Sequence, residues 1–435
     1  MTLLFIAAVL ISTALELWLS QRQIATVAAN RGRVPEPFAQ TVTAEEHAKA
    51  ADYTIARARF GGISEITNAV LTLALTVGGG IAAIDALWRH TGWQEPWLGL
   101  AVMGSVFLLT GALTLPLSIW QTFKLEARFG FNRMTPALFV ADLAKSLLLA
   151  VLLGGPLLLA TLTLMERAGR WWWIWAWFLW LAVMFIMTWA YPAFIAPLFN
   201  KFSPLKDESL KSRIEALLTR CGFKSQGVFV VDNSRRSSHG NAYFTGIGNN
   251  KRIVFFDTLL ERLAHPEVEA VLAHELGHFS LKHVRKRLLL SIAMTFVALA
   301  ILGWLTTQQA FFTALGVATP SPHAALLLFV LAAPFFTFFI TPLSSRWSRR
   351  HEFEADAFAT QHANANELAE ALVKLYRDNA STLTPDPVYV AFHYSHPPAL
   401  ERISRLRGPA HRGRAPAMDG GPGADSGTHY RRSGT

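Results

Sequence analysis

His274-Glu275-Leu276-Gly277-His278 decides how this chain is read. On a helix the two histidines, four apart, share one face about one turn apart. Both imidazoles can then ligate one metal ion, and the glutamate after the first histidine can take a proton from a water activated there. The flanks predict a helix: Pro266 suits a first helical position, and Val268, Val271 and Leu272 supply an apolar stripe. An HExxH string also arises by chance, so its weight rests on a partner elsewhere in the chain.

Composition sets the surroundings. Of 435 residues, 52% are hydrophobic and only 16% charged, with 14 Trp and 30 Phe, and the mean hydropathy is +0.29. That is a polytopic membrane protein rather than two or three soluble domains. The net charge of +10 does not point to nucleic acid, because the basic residues sit in loops beside apolar runs. The single cysteine, Cys221, excludes an internal disulfide.

Seven apolar runs are near the roughly 20 residues a helix needs to cross: 2–20, 66–88, 97–120, 136–165, 171–198, 288–304 and 324–343. The first lacks a basic leader and a clear cleavage site, and reads as an uncleaved span. The run at 288–304 is short and reads as a continuation of the helix carrying His274. Arg22, Arg31, Arg33, Lys49, Arg57 and Arg59 crowd the first loop, Lys124, Arg128 and Arg133 the third, and Arg346, Arg349 and Arg350 follow the last run. The intervening loops hold few basic residues. The positive-inside rule then predicts an outside N-terminus and a cytoplasmic C-terminus, with a bacterial inner membrane as the expected host.

The domain plan that follows is transmembrane helices 1–5 over 1–199, a cytoplasmic segment over 200–286, transmembrane helices 6–7 over 287–343, a second cytoplasmic helical segment over 344–407 and a disordered basic tail over 408–435. In the first cytoplasmic segment, 207–221 predicts an amphipathic helix and 227–231 a strand, while 242–245 and 252–256 flank a hairpin turn at Gly248-Asn249-Asn250.

A catalytic zinc site takes three protein ligands and keeps one position open. The hairpin of spans six and seven returns the chain to the same side, where it reads His351-Glu352-Phe353-Glu354-Ala355-Asp356. Glu352 is the candidate third ligand. Asp356, one turn on, can accept a hydrogen bond from the outer nitrogen of a ligand histidine. On a helix Glu354 and His351 face away from Glu352.

These two motifs and the seven spans resemble the integral-membrane zinc endopeptidases of the CAAX prenyl protease 1 family. The likeness extends to Phe129-Gly130-Phe131-Asn132, Pro197-Leu198-Phe199-Asn200-Lys201-Phe202, Ser237-Ser238-His239-Gly240-Asn241-Ala242-Tyr243-Phe244, Tyr394-Ser395-His396-Pro397-Pro398 and Glu401-Arg402, and covers about 2–407. It implies an all-α polytopic membrane protein of seven transmembrane helices with a cytoplasmic zincin-like α+β protease domain, the helices enclosing a water-filled chamber. It also implies one Zn²⁺ per chain on His274, His278 and Glu352, with Glu275 as general base. His396 and Arg402 fall at family positions near the metal, and His396 suits oxyanion stabilisation. Asn241, Ala242 and Tyr243 fall on the edge strand that holds substrate main chain, as β-addition to an unpaired edge requires. Asp85, Asp142 and Lys145, within or near apolar runs, fit either the chamber lining or internal ion pairs.

The expected reaction is peptide-bond hydrolysis of a membrane-associated peptide or protein, prenylated in eukaryotic members of the family. A membrane-protein quality-control protease without prenyl specificity fits the same site. An intramembrane protease does not, since Glu267, Glu269, Lys282, Arg285, Lys286 and Arg287 flank the motif. A zinc transporter should carry ligands at mid-membrane on several spans, and a silent scaffold should lose Glu275. Membrane lipid is a partner and nucleic acid is not. The oligomeric state is left open.

Overall fold

Inside a bilayer every backbone polar group must be satisfied within the chain, so long apolar runs there become helices. In a computed structural model, which describes residues 1–223, 225, 227–245 and 252–408, six helices are long and apolar enough to cross. They are Thr2–Asn30, Trp97–Glu126, Pro136–Arg167, Gly169–Phe199, His283–Leu305 and Pro322–His362. Ala44–Leu75 and Gly80–Arg89 make a seventh if taken as one span bent by 49°. The bend has a local cause: Gly79 turns the chain at φ 77, a conformation open to glycine at little cost. Large apolar side chains such as Leu3, Val140, Trp175 and Leu343 point outward, as lipid-facing residues do. The seven expected crossings are thus present once the bent pair is counted as one.

The charged residues in the apolar runs are paired. Asp142 receives two hydrogen bonds from Arg236, at 2.9 and 3.1 Å, and lies 3.6 Å from Lys145. Asp85 pairs with Arg89 at 2.7 Å and with His323 at 3.0 Å. Between the helices, Ser12, Glu16, Glu65, Asn68 and Thr72 help line a cavity of about 430 Å³.

A small mixed sheet lies beside the helices. Its strands are β1 (Phe202–Pro204), β2 (Val228–Val231), β3 (Ala242–Thr245) and β4 (Arg252–Phe256), in the order β1-β2-β4-β3. β2 and β4 run parallel, while β1 and β3 are antiparallel to their neighbours. β3 is therefore an edge strand. The turn expected at Gly248–Asn250 and the tail over 409–435 lie outside the described residues. The amphipathic helix Glu208–Arg220 buries Leu210, Ile214 and Leu217 against the sheet side of the core, and Val268, Leu272 and Leu276 of helix His265–Ser280 join the same cluster.

One expectation is corrected. The helix carrying His274 does not run on into the sixth span. It ends at Ser280, and the next helix starts at His283. Lys282 between them has φ 60, a left-handed conformation that a helix interior does not tolerate.

Helix His265–Ser280 lies against the distal part of the Pro322–His362 rod. At Gly277 an added Cβ would sit 3.0 Å from Ala355 Cα and 3.1 Å from Ala355 O. The lack of a side chain there sets the spacing of the two helices. Gly277→Val is expected to cost about 1–3 kcal/mol by overpacking, seen as a lower thermal midpoint of the detergent-purified protein. Gly104→Val, at a helical glycine with nothing within 4 Å, should leave that midpoint nearly unchanged.

Candidate metal centre and active site

The helix that carries the motif is pinned at its start. Pro266 occupies the first turn, where a missing N–H costs nothing. Ala264 N donates to Glu267 Oε2 at 2.7 Å, and Lys374 Nζ meets Glu267 Oε1 at 2.6 Å. One face of the helix is buried in the core, and the other presents His274, Glu275 and His278 toward the helix Thr341–His362.

Three ligand-type atoms converge there. His274 Nε2 is 3.4 Å from Glu352 Oε2, and His278 Nε2 is 3.4 Å from Glu352 Oε1. One ligand atom from each of the three residues lies within 4.8 Å of the others. The two imidazole rings stand at 86° with centroids 5.0 Å apart, so their lone pairs approach from different directions. Glu352 is 2% exposed, yet its Oε2 accepts no hydrogen bond. It approaches only His274 Nε2 and, at 3.5 Å, His396 Nε2. A buried carboxylate oxygen without a donor is costly unless a cation satisfies it. Two imidazoles and one carboxylate, converging with one side open to a cleft, fit the donor set of a catalytic zinc site.

The ionisable groups of the site act strongly on one another. Burial pulls the His274 pKa down, but the Asp356 and Glu352 carboxylates outweigh it and lift the pKa to about 9. Burial and the charge on His274 press the His278 pKa down to about 3, so that ring stays neutral. Burial raises the Glu275 pKa above the usual carboxylate range.

Asp356 reaches the outer nitrogen of His274: its Oδ1 is 2.8 Å from Nδ1. Arg402, 5% exposed, donates to both oxygens of Asp356, from Nε at 2.9 Å and from an Nη at 2.5 Å. Its guanidinium is thereby engaged by Asp356, and an Nη lies 3.4 Å from His274 Nδ1.

The cleft, about 190 Å³, is lined by Gly240, Asn241 and Ala242 on one side and by His274, Glu275, Glu352, His396 and Arg402 on the other. Ala242 pairs with Phe255 of β4, and among the described residues no strand pairs with the outer edge of β3. Tyr243 is not part of the lining. Its ring meets Phe256 edge-on at 6.2 Å, as alternation along a strand requires.

Two residues near the site, Asn379 and His283, carry no signal in the sequence reading, and a third, Glu354, is read there only as facing away from Glu352. Asn379 Oδ1 accepts from Gly240 N at 3.3 Å and lies 3.2 Å from His239 Nδ1, so it holds the turn that leads into β3. His283 and Glu354 extend from His278 on the side away from the cleft. Nothing short of a contact map marks such residues, although His283 lies only five positions after a proposed ligand.

A membrane-embedded helical bundle carrying a small sheet and an HExxH helix defines a class, the integral-membrane metallopeptidases. The model of the CAAX prenyl protease N-terminal region, with five membrane helices, matches residues 23–201, and that of peptidase family M48 matches residues 204–410. The CAAX prenyl protease 1 homolog of Arabidopsis thaliana is 33% identical, with 90% of this chain and 94% of that protein covered. CAAX prenyl protease 1 of Saccharomyces cerevisiae is 38% identical over 71% of each, and the human homolog 33% identical over 93% of this chain and 95% of its own length. The crystal structure of S. mikatae Ste24p superposes with a TM-score of 0.86 at 31% identity, covering 93% of this chain and 98% of that one. The chain belongs to the CAAX prenyl protease 1 family of M48 peptidases. It is an integral membrane protein and a metal-dependent endopeptidase that acts on a peptide or protein substrate. The three relatives are eukaryotic and lend no support to a bacterial host.

Loss of the Asp356 carboxylate should free the outer nitrogen of His274. Asp356→Ala is expected to weaken metal binding by about 10–100-fold, measured by competition with a chromogenic chelator.

Proposed function

We propose that this protein is a zinc endopeptidase with one ion per chain held by His274, His278 and Glu352, cleaving extended C-terminal peptides of the CAAX type. The observation that carries the zinc reading is the buried Glu352 carboxylate, whose Oε2 has no hydrogen-bond donor and faces His274 Nε2 while its Oε1 faces His278 Nε2. The substrate class rests on the relatives, which are named CAAX prenyl protease 1 homologs and match over most of both chains.

A bound zinc supplies the Lewis acidity that polarises a peptide carbonyl and acidifies water. The work of the chain's own groups follows from their placement. The substrate main chain lies along the outer edge of β3 at Asn241 and Ala242, with the backbone of Tyr243 continuing that edge, as β-addition demands. Glu275, lining the same cleft, takes a proton from the attacking water. Its raised pKa makes the carboxylate a better base than an exposed one and lets it pass that proton to the leaving nitrogen. Ser395 Oγ lies 3.0 Å from His396 Nδ1. A hydroxyl donating to Nδ1 leaves the ring proton on Nε2, which then donates to the carbonyl oxygen as negative charge develops. Arg402 acts at one remove, by holding Asp356 against His274.

The distribution of arginine and lysine supports an outside N-terminus, with the active site and C-terminus in the cytoplasm. Polar side chains between the helices, Glu16, Glu65 and Asn68 among them, support a wet interior, through which a lipid-modified chain end reaches the cleft.

Detergent-purified protein is expected to cleave a farnesylated CAAX peptide, read by mass spectrometry. Glu275→Gln should keep its metal and lose about 10²–10⁴ in kcat, whereas His278→Ala should lose metal and activity together. Cleavage of unmodified membrane-protein segments at equal kcat/KM would replace the CAAX reading with a general quality-control role.

A further inference from the structure

Behind His278 lies a chain of contacts that the hydrolytic scheme does not use. His278 Nδ1 is 3.0 Å from His283 Nδ1. His283 Nε2 is 3.0 Å from Glu354 Oε2, and Arg350 Nε donates to Glu354 Oε1 at 2.9 Å. His283 is fully buried. Its ring lies flat against that of His351, with centroids 4.0 Å apart and planes at 11°. Trp347 meets the His351 ring on an edge at 4.4 Å. The imidazole of His283 therefore has one orientation.

The chemistry of these groups fixes where every proton sits. A carboxylate paired with arginine only accepts hydrogen bonds, so His283 must carry its hydrogen on Nε2 and donate it to Glu354. Its Nδ1 is then a bare lone pair. The contact at 3.0 Å between two Nδ1 atoms is a hydrogen bond only if His278 Nδ1 carries the hydrogen. That leaves the lone pair of His278 on Nε2, the nitrogen facing Glu352. We infer that His283 is a positioning residue for the metal centre: through it, Glu354 and Arg350 set the tautomer and ring orientation of His278. On the other ligand, Asp356 and Arg402 do the same for His274 without an intermediary. One helix, Thr341–His362, thus supplies the third ligand and both carboxylates that orient the other two. The inference rests on the zinc reading above.

The same residues invite a rival reading. His283, His351 and Glu354 offer ligand-type atoms within 4.8 Å of one another, and the buried His351 Nδ1 has no hydrogen-bond partner. Two things oppose a second ion there. Parallel rings stacked at 4.0 Å do not aim their in-plane lone pairs at one point. Both oxygens of Glu354 are already engaged, by His283 and by Arg350.

The test is metal affinity, measured by chelator competition, with metal content per chain measured alongside. His283→Leu fills the space but cannot accept the proton of His278. It is expected to weaken zinc binding by about 10–100-fold, with the thermal midpoint of the metal-free protein held. His283→Asn places a carbonyl oxygen near the position of Nδ1 and should return the affinity to within about threefold of the wild type. Glu354→Leu, at a partly exposed position, tests the same wire without touching the buried ring and should shift affinity in the same direction. Unchanged affinity in His283→Leu and Glu354→Leu would overturn the inference, and equal losses in His283→Leu and His283→Asn would reduce His283 to packing. Two zinc ions in the wild type and one in His283→Leu would establish the second site instead. Absence of zinc from the wild type itself would overturn the metal reading and this inference with it, an outcome distinct from unchanged affinity in a zinc-bound wild type and its variants.

Discussion

The contact on which the site depends is the close packing of helix His265–Ser280 on helix Thr341–His362, with Gly277 against Ala355. That spacing places four ionisable groups, His274, Glu352, Asp356 and Arg402, in a space nearly closed to water. Buried charges cost several kcal/mol each unless they are paired with good geometry. Asp356 is satisfied by His274 and Arg402. Glu352 is satisfied less completely: its Oε2 has no hydrogen-bond donor and faces His274 Nε2 at 3.4 Å. That oxygen lies between the two helices, where the proposed cation would sit.

The rest of the molecule sets an open strand edge beside this centre. β4 lies between β2 and β3, which leaves the outer side of β3 as an edge beside Glu275. Asn379 fixes the turn into β3 through Gly240. The membrane helices add a cavity with carboxylate and amide side chains where an apolar core would otherwise be expected.

Much of this was legible in the sequence because it rests on periodicity or on chemistry at fixed spacing. Apolar runs announced the spans, HExxH announced a helix face, and the spacing of Glu352 and Asp356 put both on one face of a second helix. What stayed hidden depends on contacts between distant segments. Apolar residues on both sides of Lys282 suggest one continuous helix, and only the tertiary path forces φ 60 there. β1, three residues long, is too short to show alternation. The span of 66–88 read as continuous because the break at Gly79 lies inside an apolar run. Arg402 was read as a group near the metal, since its spacing from His396 says nothing of Asp356. Glu354 and His351 were read as facing away from Glu352, and their place behind His278 emerges only once His283 is packed between them.

A zinc-edge anomalous difference map of the purified full-length protein tests the central claim most directly. The account predicts one peak per chain, about 2.0–2.2 Å from His274 Nε2, His278 Nε2 and a Glu352 oxygen. A peak bound by other residues, or none in protein that still hydrolyses peptides, would contradict it.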